Sequence, residues 1–475
     1  MKKAIIKIAT LAIIPIIIFL AYYLNCDRVV IVNKAIKDIK INTYSIFARK
    51  DKNQPSYEAM TLNTISKTKI DIETKENEII HKEIKLRKLK ANKAIHIYSL
   101  KDKKAYKINL TPENLPKYKI KTKPGHTKGY LFTAPMRVSD WSNAIALAIK
   151  TNGDLIFYHN NPNYPMKLLF NFQKIKLSNG EVYYSINMES KKGHLTNYFD
   201  TEIYLFDKNF NLIKKITSPD GKLCENHIFY MLDRNHYFIS QHYPETRYAK
   251  EQKRNVKILQ DHLKEIKDND IIFDFDTGKH PEYALKYNLV YLPEWEYMEP
   301  FHLNGMLVDP KDNNIIISAG FMSSFVKVDR KTKKPIWILG GKGDMFNLAP
   351  EQRFILQHSP MLTSDGYFTF LNNNNQFKIP GDKQFYQPGK AKIVKMKLDE
   401  KNLKITDYRT FELEDNIMFL GNLQEMSPNR YLIGYGVSRH KNFAAEKDIT
   451  QNKDYMTFEI PEYSSYKITH HKTLD

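Results

Sequence analysis

Cysteine is nearly absent from this chain, which has only Cys26 and Cys224 among its 475 residues. Two cysteines can build neither a disulfide framework nor a zinc site of the Cys-x-x-Cys type. Cys26 ends an apolar N-terminal run, and we expect it not to meet Cys224. Stability must therefore come from a hydrophobic core, and the hydrophobic fraction of 42% is normal for a globular protein with such a core.

The chain also lacks an arginine-rich tract or a basic tract interleaved with aromatic residues, although its formal net charge is +20. A basic balance can indicate nucleic acid, an anionic membrane surface or anionic substrates as partners. Here the lysines are spread along the whole chain. We interpret the charge as a solvated surface, and we expect no nucleic-acid partner.

The N-terminal segment lacks a good cleavage site for signal peptidase. Three lysines precede an apolar run at residues 8–24, which as a helix would span roughly 26 Å. A cleaved signal peptide needs small residues before the cut, and residues 21–26 do not provide them. We favour an uncleaved signal anchor at residues 1–27 over a cleaved signal peptide. The positive N-terminal flank then predicts a single-pass protein of the inner membrane, with the rest of the chain on the periplasmic side.

Between the anchor and the main domain, residues 28–120 alternate apolar and polar side chains in places. This alternation predicts a small β-sandwich-like domain. A stretch with proline, glycine and lysine at residues 115–125 is typical of a linker. Further along, residues 247–267 place Val256, Leu259, Leu263 and Ile266 on one helical face, which predicts a single inserted helix.

From residue 125 to residue 475, the chain repeats a unit of four short strands joined by turns. The clearest copy predicts strands at 302–309, 315–319, 324–329 and 335–339. Two copies follow from residues 357 and 421, the last ending with a fourth strand at 465–470. Earlier copies begin near residues 143, 171 and 225. About six such units predict an all-β fold, a six-bladed β-propeller, rather than a sandwich.

Three histidines, His227, His302 and His358, stand at the start of the innermost strand of three units. Innermost strands line the central channel of a propeller, so residues at the same point of several blades converge on its axis. A single histidine at a strand end is usually a surface or structural residue. Three equivalent ones can bind an anion, shuttle protons, attack an electrophile or hold a metal.

An ordered set of short motifs resembles the bacterial arylsulfate sulfotransferases. The set runs through Asn226-His227, His302-Leu303-Asn304, Val328-Asp329-Arg330-Lys331-Thr332, Ile336-Trp337-Ile338-Leu339-Gly340-Gly341, Gln357-His358, Leu371-Asn372-Asn373 and Gly421-Asn422-Leu423-Gln424. The resemblance covers about residues 125–470. Each motif is short, but their order along the chain is specific.

The resemblance implies a periplasmic enzyme that moves a sulfuryl group from a phenolic sulfate ester to a phenolic acceptor. It implies a sulfohistidine intermediate on His358, with neither a nucleotide donor nor another cofactor or metal. His302 and His227 would then stabilise charge on the oxygens and supply a proton. Such a role is reasonable, since charge in this kind of transfer develops on the peripheral and leaving oxygens.

One residue of the family pattern is missing, because the arginine expected on the second strand of the His-x-Asn blade falls at Gly320. An arginine there would hold the sulfuryl oxygens with a fork of donors. We expect Asn304, Lys342 and Arg439 to bind substrate, with Lys327 as a further candidate for the missing cation. If no cation replaces the arginine, the alternative is an impaired propeller that binds a ligand or protein in its channel. A metal-dependent hydrolase or lyase is the remaining alternative.

Overall fold

The structure, a computed structural model, describes the strands between residues 27 and 112 and most of the chain from residue 116 to residue 474. The gaps in this second part are 138, 140–144, 160–168, 190–200, 209–211, 223, 250–252, 281–296, 298, 378–385, 415 and 439–441. The chain divides into two compact units. The first holds residues 1–117, and the second holds most of the residues from 118 to 475.

Eight strands are described before residue 113. They are β1 (Asp27–Val32), β2 (Lys40–Thr43), β3 (Arg49–Lys50), β4 (Ala59–Thr64), β5 (Lys67–Glu73), β6 (Ile79–Lys85), β7 (Ile95–Tyr98) and β8 (Ala105–Pro112). One sheet has the order β3-β4-β1-β8-β7 and the other the order β2-β5-β6. The separate domain predicted at residues 28–120 stays a prediction.

The predicted membrane anchor falls almost wholly on residues 1–26, which lie outside the described residues. No helix in the described part of the chain has the length and apolar character needed to cross a membrane.

The remaining strands, in chain order, are β9 (Lys119–Thr122), β10 (Tyr130–Arg137), β11 (Ala146–Lys150), β12 (Leu155–His159), β13 (Leu169–Lys176), β14 (Val182–Glu189), β15 (Thr201–Asp207), β16 (Leu212–Ile216), β17 (Phe229–Asp233), β18 (His236–Ala249), β19 (Arg254–Lys267), β20 (Asp270–Asp276), β21 (Leu303–Val308), β22 (Ile315–Ala319), β23 (Ser324–Val328), β24 (Pro335–Gly340), β25 (Gln357–Leu362), β26 (Phe368–Asn372), β27 (Asn375–Phe377), β28 (Tyr386–Pro388), β29 (Lys392–Asp399), β30 (Lys404–Glu412), β31 (Ile417–Phe419), β32 (Asn422–Ser427), β33 (Arg430–Gly434), β34 (Val437–Ser438), β35 (Ala444–Asp448), β36 (Lys453–Glu459) and β37 (Tyr463–His471). Two short 3-10 helices occupy Thr277–Lys279 and Pro350–Gln352.

Six antiparallel sheets form the blades of a β-propeller, which confirms the six-bladed, all-β prediction. From the innermost strand outward they are β37-β10-β11-β12, β13-β14-β15-β16, β17-β18-β19-β20, β21-β22-β23-β24, β25-β26-β29-β30 and β32-β33-β35-β36-β9. The innermost strands are neighbours around the channel, since β37 contacts β13 and β32, and β25 contacts β21 and β32. We number the blades 1 to 6 in this order.

Strands from two distant parts of the chain close the ring. β37 is the innermost strand of blade 1 and pairs with β10, while β9 is the outermost strand of blade 6 and pairs with β36. The sequence interpretation was wrong at both places. It put residues 465–470 into the last blade, missed β35, and treated residues 115–125 as a linker, because closure pairs strands that no local pattern connects.

The helix predicted at residues 247–267 is also wrong. These residues form the end of β18 and all of β19, paired as a long hairpin from His236↔Lys267 to Ala249↔Arg254. β19 lies between β18 and β20, and Ile258, Leu259 and Leu263 on it are buried. A strand buried on both faces shows no strict alternation of apolar and polar residues, so helical spacing fits it equally well.

Asparagine side chains join neighbouring innermost strands in three blades. Asn304 Nδ2 donates to Gln357 O of blade 5 at 2.8 Å, and Asn422 Nδ2 donates to Ile468 O of blade 1 at 2.7 Å. Asn171 Nδ2 likewise donates to the backbone carbonyl of His227 at 3.1 Å. Buried amides that satisfy backbone carbonyls fix the blades relative to one another around the channel.

Candidate functional site

A cavity of about 400 Å³ lies in the channel, between innermost strands of blades 1, 3, 4, 5 and 6. Polar side chains on its wall include His227, His358, Glu425 and Lys467, and apolar side chains on it include Met306 and Leu423. This volume and this mixture of an apolar wall with a few polar groups are usual for a small-molecule site.

The channel brings the three histidines predicted from the sequence to one place. The ring centroids of His227 and His302 are 4.8 Å apart. The Tyr466 ring lies 5.1 Å from His227 and 6.5 Å from His358. Its hydroxyl donates to Asn304 O at 2.8 Å, so Tyr466 reaches from blade 1 across the channel to blade 4.

His358, near the start of β25, has one nitrogen committed and one open. Nδ1 lies 3.2 Å from both Leu356 O and Asn373 Oδ1, which are acceptors, so Nδ1 carries the hydrogen. Asn373 Nδ2 donates to Leu420 O at 3.1 Å, which orients its amide. Burial lowers the pKa of His358 to about 3, assisted by the charges of His302 and His227. The imidazole is therefore neutral at pH 7, with the Nε2 lone pair free to act as a nucleophile.

His302, just before β21, is held from behind by two carboxylates. Its Nδ1 donates to Glu299 Oε1 at 2.8 Å, and its backbone N–H donates to Asp261 Oδ2 at 3.1 Å. The Phe321 ring stacks on the imidazole, with 4.2 Å between ring centroids. Burial opposes protonation, but the charge and hydrogen bond of Glu299 outweigh it and raise the pKa of His302. His302 is thus disposed to be an imidazolium.

His227, just before β17, has a carboxylate of its own. Its Nδ1 is hydrogen-bonded to Glu225 Oε1, and its backbone N–H donates to Glu225 Oε2 at 2.8 Å. Ser240 Oγ also donates to Glu225, at 2.7 Å. Burial would raise the pKa of Glu225, but the His227 charge and the hydrogen bonds from His227 lower it overall. An ionised Glu225 therefore orients His227 through Nδ1.

A further buried histidine, His242, shares the two carboxylates that hold His302. His242 Nε2 is 3.0 Å from Asp261 Oδ1 and 3.4 Å from Glu299 Oε1. Burial opposes its charge, yet the two carboxylates raise the pKa of His242 well above its ordinary value. The ligand atoms of these three residues lie within 4.8 Å of one another, so they are the residues that could hold a metal ion here.

Of the predicted substrate-binding residues, Asn304 lies on the cavity wall. Its Oδ1 is buried and accepts no hydrogen bond from the part of the chain that the structure describes. Lys342 is exposed and follows β24, the outermost strand of blade 4. Arg439 lies outside the described residues.

Lys327, the further candidate for the missing cation, is already neutralised. Its Nζ lies 2.7 Å from Asp309, 2.8 Å from Asp312 and 2.6 Å from Glu400. Burial opposes its charge, but these carboxylates raise the pKa of Lys327. The ammonium therefore joins blade 4 to blade 5 and does not serve the channel.

Comparison with known protein families agrees with the resemblance found in the sequence motifs. The family described as Arylsulfotransferase (ASST) matches residues 173–452, more than half of the chain. The chain belongs to the arylsulfotransferase family. This confirms the membership predicted from the motifs. No curated protein matches the sequence.

Solved structures give distant likenesses only. The dihydro-heme d1 dehydrogenase NirN is 9% identical, with a TM-score of 0.31, and the match covers 72% of this chain and 65% of that protein. A putative 6-phosphogluconolactonase from Bacteroides fragilis is 11% identical over 74% of this chain and 100% of its own, with a TM-score of 0.31. Virginiamycin B lyase from Staphylococcus aureus is 10% identical over 72% and 99%, with a TM-score of 0.28. These likenesses say nothing about function.

Gly320 departs from the pattern expected of this arylsulfotransferase-family chain, and its surroundings show the consequence. A Cβ at position 320 would lie 2.6 Å from Asn304 Nδ2 and 3.1 Å from His302 Cδ2. The position thus faces His302, as the sequence indicates. It has no room for a side chain, because Asn304 occupies the space.

Proposed function

We propose that this protein transfers a sulfuryl group from a phenolic sulfate ester to a phenolic acceptor through a covalent intermediate on His358. The state of His358 carries the proposal. Its Nδ1 hydrogen is held by Leu356 O and Asn373 Oδ1, so a neutral Nε2 is available beside the cavity. A neutral, oriented imidazole is what nucleophilic attack at sulfur requires.

In the first half-reaction, the Nε2 lone pair forms a bond to sulfur as the bond from sulfur to the aryl oxygen breaks. The departing phenolate takes a proton from a channel imidazolium, a role we assign to His302 because Glu299 supports its positive charge. In the second half-reaction, an acceptor phenol gives its proton to that histidine and attacks sulfur. The bond between sulfur and nitrogen then breaks, and both histidines return to their starting states.

The cavity supports an aromatic group as the part of the substrate that is recognised. Met306, Pro360, Met361 and Leu423 contribute an apolar wall to the cavity, which His227 and His358 also line. An aryl ring can lie against this wall while its sulfate or hydroxyl meets the imidazoles. Burial of the ring would supply about 25 cal/mol per Å² of apolar surface.

The test is incubation with 4-nitrophenyl sulfate alone, followed by mass spectrometry of the peptide that contains Gln357-His358. We expect an increase of one sulfuryl group that is lost when phenol is added. His358→Asn should lose the adduct and slow turnover by about a thousandfold or more, whereas His126→Asn, at a half-buried histidine that does not line the cavity, should behave as the unaltered protein. Full turnover in His358→Asn would rule out the covalent route.

A second candidate function is a propeller that binds an aryl ligand without transfer. Gly320 in place of the family arginine favours it, because the loss of one preorganised donor costs about 100- to 1,000-fold in rate. Calorimetric binding of the aryl sulfate without adduct or turnover would select this function.

We also propose that residues 1–27 anchor the protein in the inner membrane with the propeller in the periplasm. The three lysines before the apolar run support this orientation. Protease added to the periplasmic face should digest the propeller. A soluble mature form that begins near residue 26 would contradict the anchor.

A further inference from the structure

The cavity that contains the channel histidines also has a carboxylate on its wall. Glu425 lines it together with His358, and the two residues belong to the innermost strands of blades 6 and 5. The chemistry proposed for the site uses imidazoles and gives this carboxylate no part. A negative charge repels the sulfate of a donor, so Glu425 is either neutralised within the protein or meets another part of the ligand.

Neutral groups hold Glu425 in place. The backbone N–H of Ser364 donates to its Oε2 at 2.8 Å, and the Ser364 hydroxyl donates to its Oε1 at 3.0 Å. Within the part of the chain that the structure describes, Glu425 forms no ion pair. Lys467 lines the same cavity, but its ammonium donates to Gln173 Oε1 at 3.2 Å. Because neutral donors orient a carboxylate without cancelling its charge, Glu425 presents a negative charge to the cavity.

This charge is anchored far along the strand from the nucleophile. His358 is the second residue of β25, whereas Ser364, which holds Glu425, comes two residues after that strand ends. At about 3.3 Å per residue, the six residues from His358 to Ser364 span at most roughly 20 Å. A ligand that touches both groups therefore has its reacting oxygen at one end and the group that meets Glu425 at the other. An aryl ring with a short side chain has this form.

We propose that Glu425 is a specificity-determining residue that binds a protonated amine on the side chain of the aryl substrate. The proposal rests on the proposed function and names a class within its substrates, the phenols and phenol sulfates with a cationic group opposite the oxygen. The carboxylate attracts such an amine and repels an anionic group in its place. Since Glu425 is half-buried, the preference is several-fold and not absolute.

Two acceptors of equal size but different charge test this selection. Tyramine carries an amine that is protonated at pH 7, whereas 4-(2-hydroxyethyl)phenol is neutral. With 4-nitrophenyl sulfate as donor and at low salt, kcat/KM for tyramine should be at least threefold higher. Sodium chloride should reduce this ratio, because salt screens a partly exposed charge. Glu425→Gln should bring the ratio close to one, and Glu425→Lys should bring it below one.

The matched control is Glu351→Gln, at an exposed position that does not line the cavity, and it should keep the ratio of the unaltered protein. A ratio that Glu425→Gln leaves unchanged would overturn the role of Glu425, while the proposed function would stand. Transfer to neither phenol would count against the proposed function itself. Calorimetric binding of the same two phenols then measures the preference, and equal affinities would overturn it.

Thermal unfolding of each variant shows whether the fold is kept. If Glu425→Gln does not fold, the salt dependence of the unaltered protein decides. A preference for tyramine that falls as salt is added supports recognition by charge, and a ratio that is the same at every salt concentration overturns it.

Discussion

At the scale of single residues, the three channel histidines differ in the groups that are hydrogen-bonded to Nδ1. His302 and His227 each have a buried carboxylate on Nδ1, whereas His358 has two neutral oxygens. A carboxylate favours the imidazolium, and neutral acceptors fix the tautomer without adding charge. The surroundings therefore raise the pKa of His302 and lower that of His358, although the two side chains are identical.

Glu299→Gln should shift the pH dependence of transfer. The pKa of His302 is raised, chiefly by Glu299 against the effect of burial, so the imidazolium persists below that raised value and is lost as pH increases through it. Removing the charge should move the alkaline limb of kcat/KM for the donor to lower pH. The acid side should remain flat down to the low pKa of His358.

The control for this experiment is Glu351→Gln, at an exposed position. Its pH profile should match that of the unaltered protein. If Glu299→Gln lowers the rate equally at every pH, Glu299 only positions the ring and the acid is another group.

Gly320→Arg should destabilise the protein and should not raise its activity. The new Cβ would overlap Asn304 Nδ2, which clamps blade 4 to blade 5 through Gln357 O. Overpacking of this kind costs about 1–3 kcal/mol in the free energy of unfolding. Gly320→Ala brings the same Cβ without the charge, so denaturant unfolding of both variants isolates the clash. A gain in turnover with unchanged stability would show that Asn304 moves aside freely.

The sequence predicted the position of the three histidines because equivalent points of a repeat must converge on the axis of a propeller. It did not predict Glu299 and Asp261. Nothing in a strand pattern distinguishes a buried carboxylate from a solvated one. Tyr466 and Lys467 were missed because their strand was assigned to blade 6. Closure of the ring makes this strand the innermost strand of blade 1.

At the scale of elements, the local sequence pattern predicted the strands correctly where consecutive strands pair as hairpins. The predicted strand at 315–319 matches β22, and those at 324–329 and 335–339 match β23 and β24 within one residue. Turns rich in glycine, asparagine and aspartate define such hairpins locally. The hairpin of β18 and β19 was mistaken for a helix because blade interiors bury polar residues such as Gln260 and Asp261 beside apolar ones.

Asn422→Ala should destabilise the contact between blades 6 and 1. Its Nδ2 donates to Ile468 O at 2.7 Å, and its Oδ1 accepts from Ile468 N at 2.8 Å. Both backbone groups would be left buried without partners, at about 1–3 kcal/mol each. Urea unfolding should show the loss. Asn402→Ala, in an exposed turn, should stay within about 0.5 kcal/mol of the unaltered protein, and an equal loss there would refute the clamp.

At the scale of the whole molecule, the ring and the site share one strand. β37 closes blade 1 against β10 and brings Tyr466 and Lys467 to the cavity. An open propeller would expose the buried sides of its first and last blades, including Leu131, Phe132 and Ile433. Formation of the cavity therefore depends on closure of the ring, and a chain that has not placed its last strand has neither a complete fold nor a complete site.

Two truncations separate this closing strand from the short tail that follows it. A stop after Pro461 removes β37 and should abolish cooperative unfolding and aryl sulfate binding together, because no other strand can complete blade 1. A stop after His471 keeps β37 and removes the backbone acceptors that Lys174 and Tyr184 use at Thr473 and Leu474. Each of these hydrogen bonds is worth about 1 kcal/mol, so the shorter truncation should unfold cooperatively at a slightly lower temperature. A cooperative transition in the longer truncation would show that the propeller closes without β37, and the link between closure and cavity would fail.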